Sequence, residues 1–157
     1  MVDSGCAPQT RQGILALEPA GPPFEAIIIG KGEARLWGLA EAPLTYDPPV
    51  KAASELKKIH EEMADAPDLV PCWRQVDPAR KLADLMGIPI LILTAEASFH
   101  AVFDHCTSKY LTQAGVKNTF VRLETVGIRG NGHMLMLEKN NLEIAAFLHK
   151  WITQHLE

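Results

Sequence analysis

A chain of 157 residues is long enough to bury the core of one domain without disulfides or metal ions. With 47% hydrophobic and 22% charged residues, it is neither a disordered nor a fibrous chain. The formal net charge of -4, with no basic run longer than Lys57 and Lys58, argues against nucleic acid or a membrane surface as a partner.

The cysteines predict a reduced chain without a metal site. Cys6, Cys72 and Cys106 are odd in number and form no Cys-x-x-Cys pair, so we expect neither a disulfide framework nor bound zinc. The longest apolar run, residues 88–93, is too short to span a bilayer, and the first residues show no leader. These features favour the cytoplasm for the chain as given, and a signal peptide further upstream stays an open alternative.

The N-terminal half predicts one short strand followed by a long excursion. Residues 13–17, GILAL, are an apolar run that Glu-Pro and Gly-Pro-Pro stop abruptly, which is typical of a buried strand. Residues 19–80 begin with a stretch rich in Pro and Gly and predict an irregular, cap-like insertion over a pocket. Within this insertion, residues 54–64 show apolar positions at helical spacing after a capping Ser54, which predicts an amphipathic helix.

The C-terminal half predicts a strand, helix and strand in sequence, closed by a last helix. Residues 88–94, IPILILT, are typical of a central parallel strand that is covered on both faces. Capping residues and apolar spacing predict helices over residues 77–86, 98–114 and 140–155, and a further strand over residues 118–123.

The order of these elements predicts an α/β fold in a single domain over residues 1–157, with three parallel strands flanked by helices. A sheet this small, with a purely apolar first strand, would leave an open edge, and such edges are normally paired or covered. We therefore expect a missing neighbouring strand, or a homo-oligomer that forms through this edge.

Two side chains stand where strands of the predicted sheet end. Glu18 directly follows the first strand, and His133 lies in the glycine-rich loop GIRGNGHMLMLEKN after the third strand. Functional groups of parallel sheets gather at the carboxyl ends of the strands, and the glycines let the backbone present the histidine there. This pattern favours a catalytic over a structural histidine.

The stretches GNGHMLMLEKNNLEIAAFLHKWI, LALEPAGPPF and GLAEAPLTYDPPV resemble an esterase-like group of the α/β-hydrolase superfamily that occurs in bacteria and fungi. The resemblance covers nearly the whole chain and implies a partial α/β-hydrolase fold that transfers acyl groups to water. In this group a glutamate after the sixth strand, in a Glu-Pro context, is the acid of the catalytic triad. On that resemblance Glu18 is the acid and His133 the catalytic histidine.

Glu96 is the rival acid. In IPILILTAEAS, Ser98 occupies the position where most relatives carry the acid after the seventh strand, and Glu96 stands two residues earlier. Strands lie about 4.8 Å apart, so Glu18 would be ~10 Å from the end of the last strand, a gap that the loop to His133 can span. Motif context favours Glu18 over Glu96.

The nucleophile is missing. A serine hydrolase needs Gly-x-Ser-x-Gly between a strand and a helix, and this motif is absent from the sequence; Ser4, in VDSGC, lacks both glycines. The resemblance therefore implies the truncated C-terminal part of a serine hydrolase, inactive alone, whose full-length form acts on a small ester or related acyl substrate without a cofactor. The alternative is a non-catalytic remnant that binds a partner through its sheet edge, so the chain is not assigned as an enzyme by itself.

Other candidates carry weaker signals. Phe24, Trp37 and Tyr46 are candidate pocket-lining residues, although plain packing explains them equally well. His100 and Asp104, four residues apart, predict a pair on a helix surface or at a pocket rim, since no second cluster completes a metal site.

Overall fold

The computed structural model describes residues 13–17, 21–25 and 35–156. The main sheet is parallel and has the strand order β1, β4, β5, and a second sheet pairs β2 with β3 in antiparallel fashion. The strands are β1 (Ile14–Leu17), β2 (Lys58–His60), β3 (Trp73–Gln75), β4 (Ile90–Thr94) and β5 (Thr119–Arg122), and the α-helices are α1 (Asp104–Gln113) and α2 (Asn141–Leu156). The predicted α/β class with three parallel strands is confirmed.

Strand β4 is the centre of the molecule, and all five of its residues are buried. Because side chains alternate between the faces of a strand, Ile90 and Ile92 pack with Tyr110 and Leu111 of α1, while Leu93 joins the core against α2. A continuous aliphatic run without polar alternation is what burial on both faces requires.

The three parallel strands end at one edge of the sheet. Leu17, the last residue of β1, lies opposite Leu93, and Thr94, the last residue of β4, lies opposite Arg122, the last residue of β5. The segments that follow each strand therefore leave the sheet from the same side, which we call the carboxyl edge.

The prediction that the first strand is buried is wrong. In β1 the side chains of Ile14, Leu15 and Leu17 are 37%, 38% and 43% exposed. Within the described residues β1 pairs only with β4 and forms the outer strand of the sheet. The apolar sequence of β1 is thus that of an interior strand, although β1 stands at an edge.

The predicted helix over residues 54–64 is also wrong. This segment contains a short 3-10 turn and then β2, whose His60 stands opposite Trp73 with ring centroids 4.7 Å apart. The Nζ atom of Lys58 lies 4.8 Å from the Trp73 ring, a cation–π contact. Contacts with a distant strand outweigh the modest helical propensity of a short isolated segment.

The predicted helix over residues 77–86 is replaced by extended chain and a 3-10 turn at Ala83–Leu85. Lys81 exchanges two backbone hydrogen bonds with Asp47, of 2.7 and 2.8 Å. The Gln75 side-chain amide donates to the Arg80 carbonyl and accepts from the Arg80 backbone amide, both at 3.0 Å. Since these backbone groups are bonded to other segments, they are not available for helical hydrogen bonds.

The other predicted elements are present near their predicted bounds, and one of them begins late, whereas β3 was not predicted. The helix predicted from Ser98 begins at Asp104, because residues 98–103 form turns in which the Ser98 hydroxyl accepts a hydrogen bond from the His100 amide. None of the described helices is both long and apolar enough to cross a bilayer.

Gly38 and Gly87 form a matched pair for testing the core around Tyr110. Both have positive φ, of 84° and 86°, but a Cβ on Gly38 would collide with the buried Tyr110 hydroxyl, whereas a Cβ on Gly87 meets no atom within 4 Å. We expect Gly87→Ala to cost about 1–2 kcal/mol for the left-handed backbone alone. Gly38→Ala should cost at least ~2 kcal/mol more, because it also overpacks the core. Urea unfolding measures both, and equal losses would contradict this packing.

Candidate active site

The loop that follows β5 is tied to the loop that follows β4. The amide of Ala97 donates a 2.9 Å hydrogen bond to the carbonyl of Asn131, whose side chain is buried. Gly127 and Gly130, at φ of 89° and 76°, supply the left-handed turns that bring the chain back over the sheet. The two loops therefore form one connected rim at the carboxyl edge.

Two carboxylates hold the backbone of this rim. Glu96 accepts a 3.0 Å bond from Arg129 Nη1 and a 2.9 Å bond from the Gly130 amide. Glu138 accepts a 2.7 Å bond from the Gly132 amide. Hydrogen bonds from backbone amides to carboxylates are among the stronger kinds, so the chain on both sides of residue 131 is firmly placed.

His133 follows directly after this clamped segment, and its side chain is exposed. The imidazole packs against two rings: that of Phe99, with centroids 4.9 Å apart at 50°, and that of His100, with centroids 4.8 Å apart and planes within 4°. The histidine predicted from the sequence thus lies at the carboxyl edge with one face covered by a second imidazole.

His100 and Asp104 form the predicted pair, but its predicted location on a helix surface is wrong, since His100 is 4% exposed and Asp104 is fully buried. His100 Nδ1 lies 3.0 Å from Asp104 Oδ1, within hydrogen-bonding distance. The turns over residues 98–103 direct His100 into the protein, and Asp104 begins α1, where a negative charge is favourable. The available sequence signal was a His–Asp pair spaced i, i+4 around the apolar run Ala-Val-Phe.

A buried arginine adds positive charge near this pair. Burial lowers the pKa of Arg35, and the negative charges of Glu41 and Asp104 oppose that shift. A buried carboxylate needs such compensation, because an unpaired charge is costly in a low-dielectric interior.

The two candidate acids, Glu18 and Glu96, each follow a strand of the main sheet. Glu18 lies outside the described residues; β1, which directly precedes it, ends at the carboxyl edge beside β4. Glu96 stands at the same edge, and both of its carboxylate oxygens bond to the loop that carries His133. The geometry gives Glu96 a role in anchoring that loop.

The three candidate pocket residues lie in or against the core around Tyr110. Phe24 contacts the Tyr110 ring edge-on at 5.5 Å, and the Tyr46 hydroxyl lies 2.8 Å from that of Tyr110 and donates to the Trp37 carbonyl at 2.7 Å. Burial raises the pKa of Tyr46 and of Tyr110. Phe24 and Tyr46 are buried and Trp37 is partly buried, so packing explains their present positions.

Charged contacts bind the excursion to the C-terminal half. Lys109 of α1 lies 2.8 Å from Glu61 and from Asp65, and Arg122, at the end of β5, lies 2.9 Å from Asp68. Burial lowers the pKa of Lys109, but the hydrogen bonds to Asp65 and Glu61 outweigh burial and raise it overall. The segment over residues 61–68 therefore runs beside the carboxyl edge.

The prediction of reduced cysteines is wrong for two of the three. Cys72, which directly precedes β3, and Cys106 of α1 form a buried disulfide, with Cα atoms 5.3 Å apart. Both residues belong to segments that pack face to face, a proximity that their separation of 34 residues does not reveal. The sequence could only have indicated that two cysteines are able to pair.

His105 lies beside this disulfide, with Nε2 3.2 Å from Cys72 Sγ. Burial lowers the pKa of His105, which favours the neutral ring at neutral pH. Among the described residues, Cys72, His105 and Cys106 are the single group close enough to share a metal ion. Because both thiols are consumed in the disulfide, this group is not a metal site in the oxidised protein.

The parallel sheet between helices, with a histidine on the loop after the last strand, is compatible with part of an α/β-hydrolase fold. No family model matches the chain. The chain is similar to "Probable secreted lipase phiG" from a fungal species, strain ATCC 74256, with 44% identity over 146 residues. The similarity covers 92% of this chain and 40% of that protein, so the chain spans less than half the length of the relative. It supports the resemblance to hydrolases and does not address which residue is the acid.

The disulfide predicts the number of reactive thiols. In denaturant without reductant, an alkylating reagent should modify at most one of the three cysteines, and all three after reduction. In a Cys6→Ser background, replacing Cys72 and Cys106 by Ser should lower the free energy of unfolding by about 2–4 kcal/mol. Mass spectrometry and urea unfolding measure these outcomes. Two or more alkylated thiols without reductant would contradict the pairing.

Proposed function

We propose that the chain is the C-terminal part of a serine-type ester hydrolase and supplies the histidine and the acid of its catalytic triad. The observation that carries this proposal is the position of His133: an exposed imidazole at the carboxyl edge, on a loop clamped by Glu96 and Glu138. The 44% identity to a protein named as a lipase supports the same class of chemistry.

In the proposed reaction His133 removes the proton from an upstream serine as its oxygen attacks the ester carbonyl. It then returns the proton to the alcohol that leaves, and the second half of the reaction repeats these steps with water. The acid would accept a hydrogen bond from the other ring nitrogen, fixing the tautomer and stabilising the imidazolium. The rigid loop favours this role, because proton transfer requires hydrogen-bonding distance to a fixed partner.

We assign the acid to Glu18 and not to Glu96. Glu18 directly follows β1, and that strand ends at the edge from which the His133 loop departs. The Glu96 carboxylate already bonds Arg129 and the Gly130 amide, which fits an anchoring role. In this assignment residues 19–80 form a cap-like insertion, and its segment tied to Lys109 and Arg122 borders the substrate pocket.

The serine and the oxyanion hole belong, on this proposal, to a preceding part of a longer protein. The length of the relative supports this arrangement, since the match covers 40% of it. The exposed apolar edge of β1 would then receive the preceding strand.

We propose esters as the substrate class and an oxidising, extracellular compartment as the location. A buried structural disulfide is typical of secreted proteins. The relative is named as a secreted lipase. This replaces the preference for the cytoplasm that the cysteine count suggested.

The test uses the reading frame extended upstream until it includes a strand with Gly-x-Ser-x-Gly. In that protein His133→Ala should lower kcat/KM for a short-chain ester by about a thousand-fold or more. Glu18→Gln should cost about a hundred-fold or more, because the tautomer is no longer fixed, and Glu96→Gln less than about ten-fold. Circular dichroism controls for folding. Unchanged turnover in His133→Ala would refute the function, and a larger loss in Glu96→Gln than in Glu18→Gln would reverse the acid assignment.

The second candidate is a non-catalytic remnant that binds a partner or a second copy through the β1 edge. The exposed side chains of Ile14, Leu15 and Leu17 favour it. It requires that no nucleophile motif precedes the chain in frame.

The 157-residue chain alone separates these candidates further. A fluorophosphonate probe should not label it, and stoichiometric labelling would refute the absence of a nucleophile. If the edge pairs two copies, Leu15→Lys should shift sedimentation toward the monomer, because a lysine on an edge strand opposes pairing. Leu142→Lys, at an 81% exposed position on α2, is the matched control. A monomeric native chain would exclude self-pairing.

A further inference from the structure

The ring of His133 stacks on a second imidazole, which is hydrogen-bonded to a buried carboxylate. The His100 and His133 rings are 4.8 Å apart and nearly parallel. His100 is in turn bonded through Nδ1 to the buried Asp104 carboxylate, 3.0 Å away. The catalytic reaction described above uses neither His100 nor Asp104.

We propose that His100 and Asp104 are positioning residues that set the ring plane of His133. This inference rests on the proposed function, because positioning matters only if His133 moves protons. Asp104 fixes the rotation of the His100 ring, and the His100 ring then provides the flat surface on which the His133 ring lies.

The surroundings of His100 suit this task. Its amide donates to the Ser98 hydroxyl at 3.1 Å, and its ring contacts the Phe103 ring at 4.9 Å. Asp104 is the first residue of α1 and is fully buried, so its carboxylate is fixed by the helix. A buried ring held by a hydrogen bond and by packing has little rotational freedom.

His133, in contrast, is exposed at the rim. General-base catalysis requires its ring within hydrogen-bonding distance of the nucleophile, so a contact that orients this ring matters for the reaction. Phe99 also contacts His133, but at 50° and from a half-exposed position, so it borders the ring without defining its plane.

Substitutions at His100, Asp104 and Phe99 distinguish orientation of His133 by the ring stack from orientation by ordinary packing. His100→Phe keeps an aromatic ring and loses the bond to Asp104, whereas His100→Asn keeps a donor near the Nδ1 position and loses the ring. Asp104→Ala removes the acceptor, and Asp104→Asn restores one without the charge. Phe99→Leu is the matched control, since it removes the tilted ring contacts to His133 and His100 and leaves the stack and the bond to Asp104.

The experiment is side-chain NMR of the full chain with labelled histidines. In the native protein, the His133 ring protons should show ring-current shifts and cross-relaxation with the His100 ring. Both signals should be lost in His100→Asn and averaged in Asp104→Ala. They should survive in Phe99→Leu, remain partly in His100→Phe, and be restored in Asp104→Asn. Unchanged His133 signals in His100→Asn and Asp104→Ala would overturn the inference, as would their loss in Phe99→Leu. Backbone amide spectra identify variants that fail to fold, and if Asp104→Ala is one of them, the comparison of His100→Asn with Phe99→Leu decides.

Kinetics of the upstream-extended enzyme supply the second readout. His100→Asn should lower kcat about ten-fold with KM unchanged, because a misoriented base slows the reaction while the substrate still binds. His100→Phe should recover part of that loss. If His133→Ala leaves turnover intact, the proposed function fails, even if the NMR spectra of the native protein show the ring stack. If His133→Ala abolishes turnover and His100→Asn leaves kcat unchanged, the positioning role alone fails.

Discussion

The parallel register of β4 with its two neighbours decides where each candidate residue stands. Leu93 faces Leu17 on one side, and Thr94 faces Arg122 on the other, so three strands release their loops at a common edge. β4 is fixed in this place because all of its side chains are buried on one face or the other. A slip of one residue would exchange its two faces, so that Ile90 and Ile92 would no longer face Tyr110 and Leu93 would no longer face Ile144.

Given that edge, short polar contacts determine the local geometry. The Ala97–Asn131 and Glu96–Gly130 bonds join the two loops, and the disulfide with the Lys109 contacts joins the excursion to α1. The described part of the excursion contains little regular structure, so such cross-links replace the internal hydrogen bonds that a helix would supply. The Glu96 carboxylate is therefore engaged in holding backbone, which weakens its claim to be the catalytic acid.

The sequence predicted the elements whose signals are local. Strand β4, strand β5 and helix α2 depend on apolar periodicity within a short window, and all three are present near the predicted bounds. Residues 54–64 and 77–86 were predicted wrongly because their backbone partners lie elsewhere in the chain. The disulfide and the burial of His100 and Asp104 were not predicted for the same reason, since each depends on which segments meet in space. Only the carboxyl-edge position of His133 followed from loop chemistry and strand order.

The histidine side and the nucleophile side of the proposed site have different requirements. The contacts described around His133 come from residues 96–104 and 130–138, which are close in sequence to β4 and β5 and are fixed by them. A serine on a strained turn needs a further strand beside β1, and the exposed apolar side chains of β1 are what such a strand would cover. If the proposed function holds, the formed histidine rim and the exposed apolar side chains of β1 would both follow from a division of the sheet at β1.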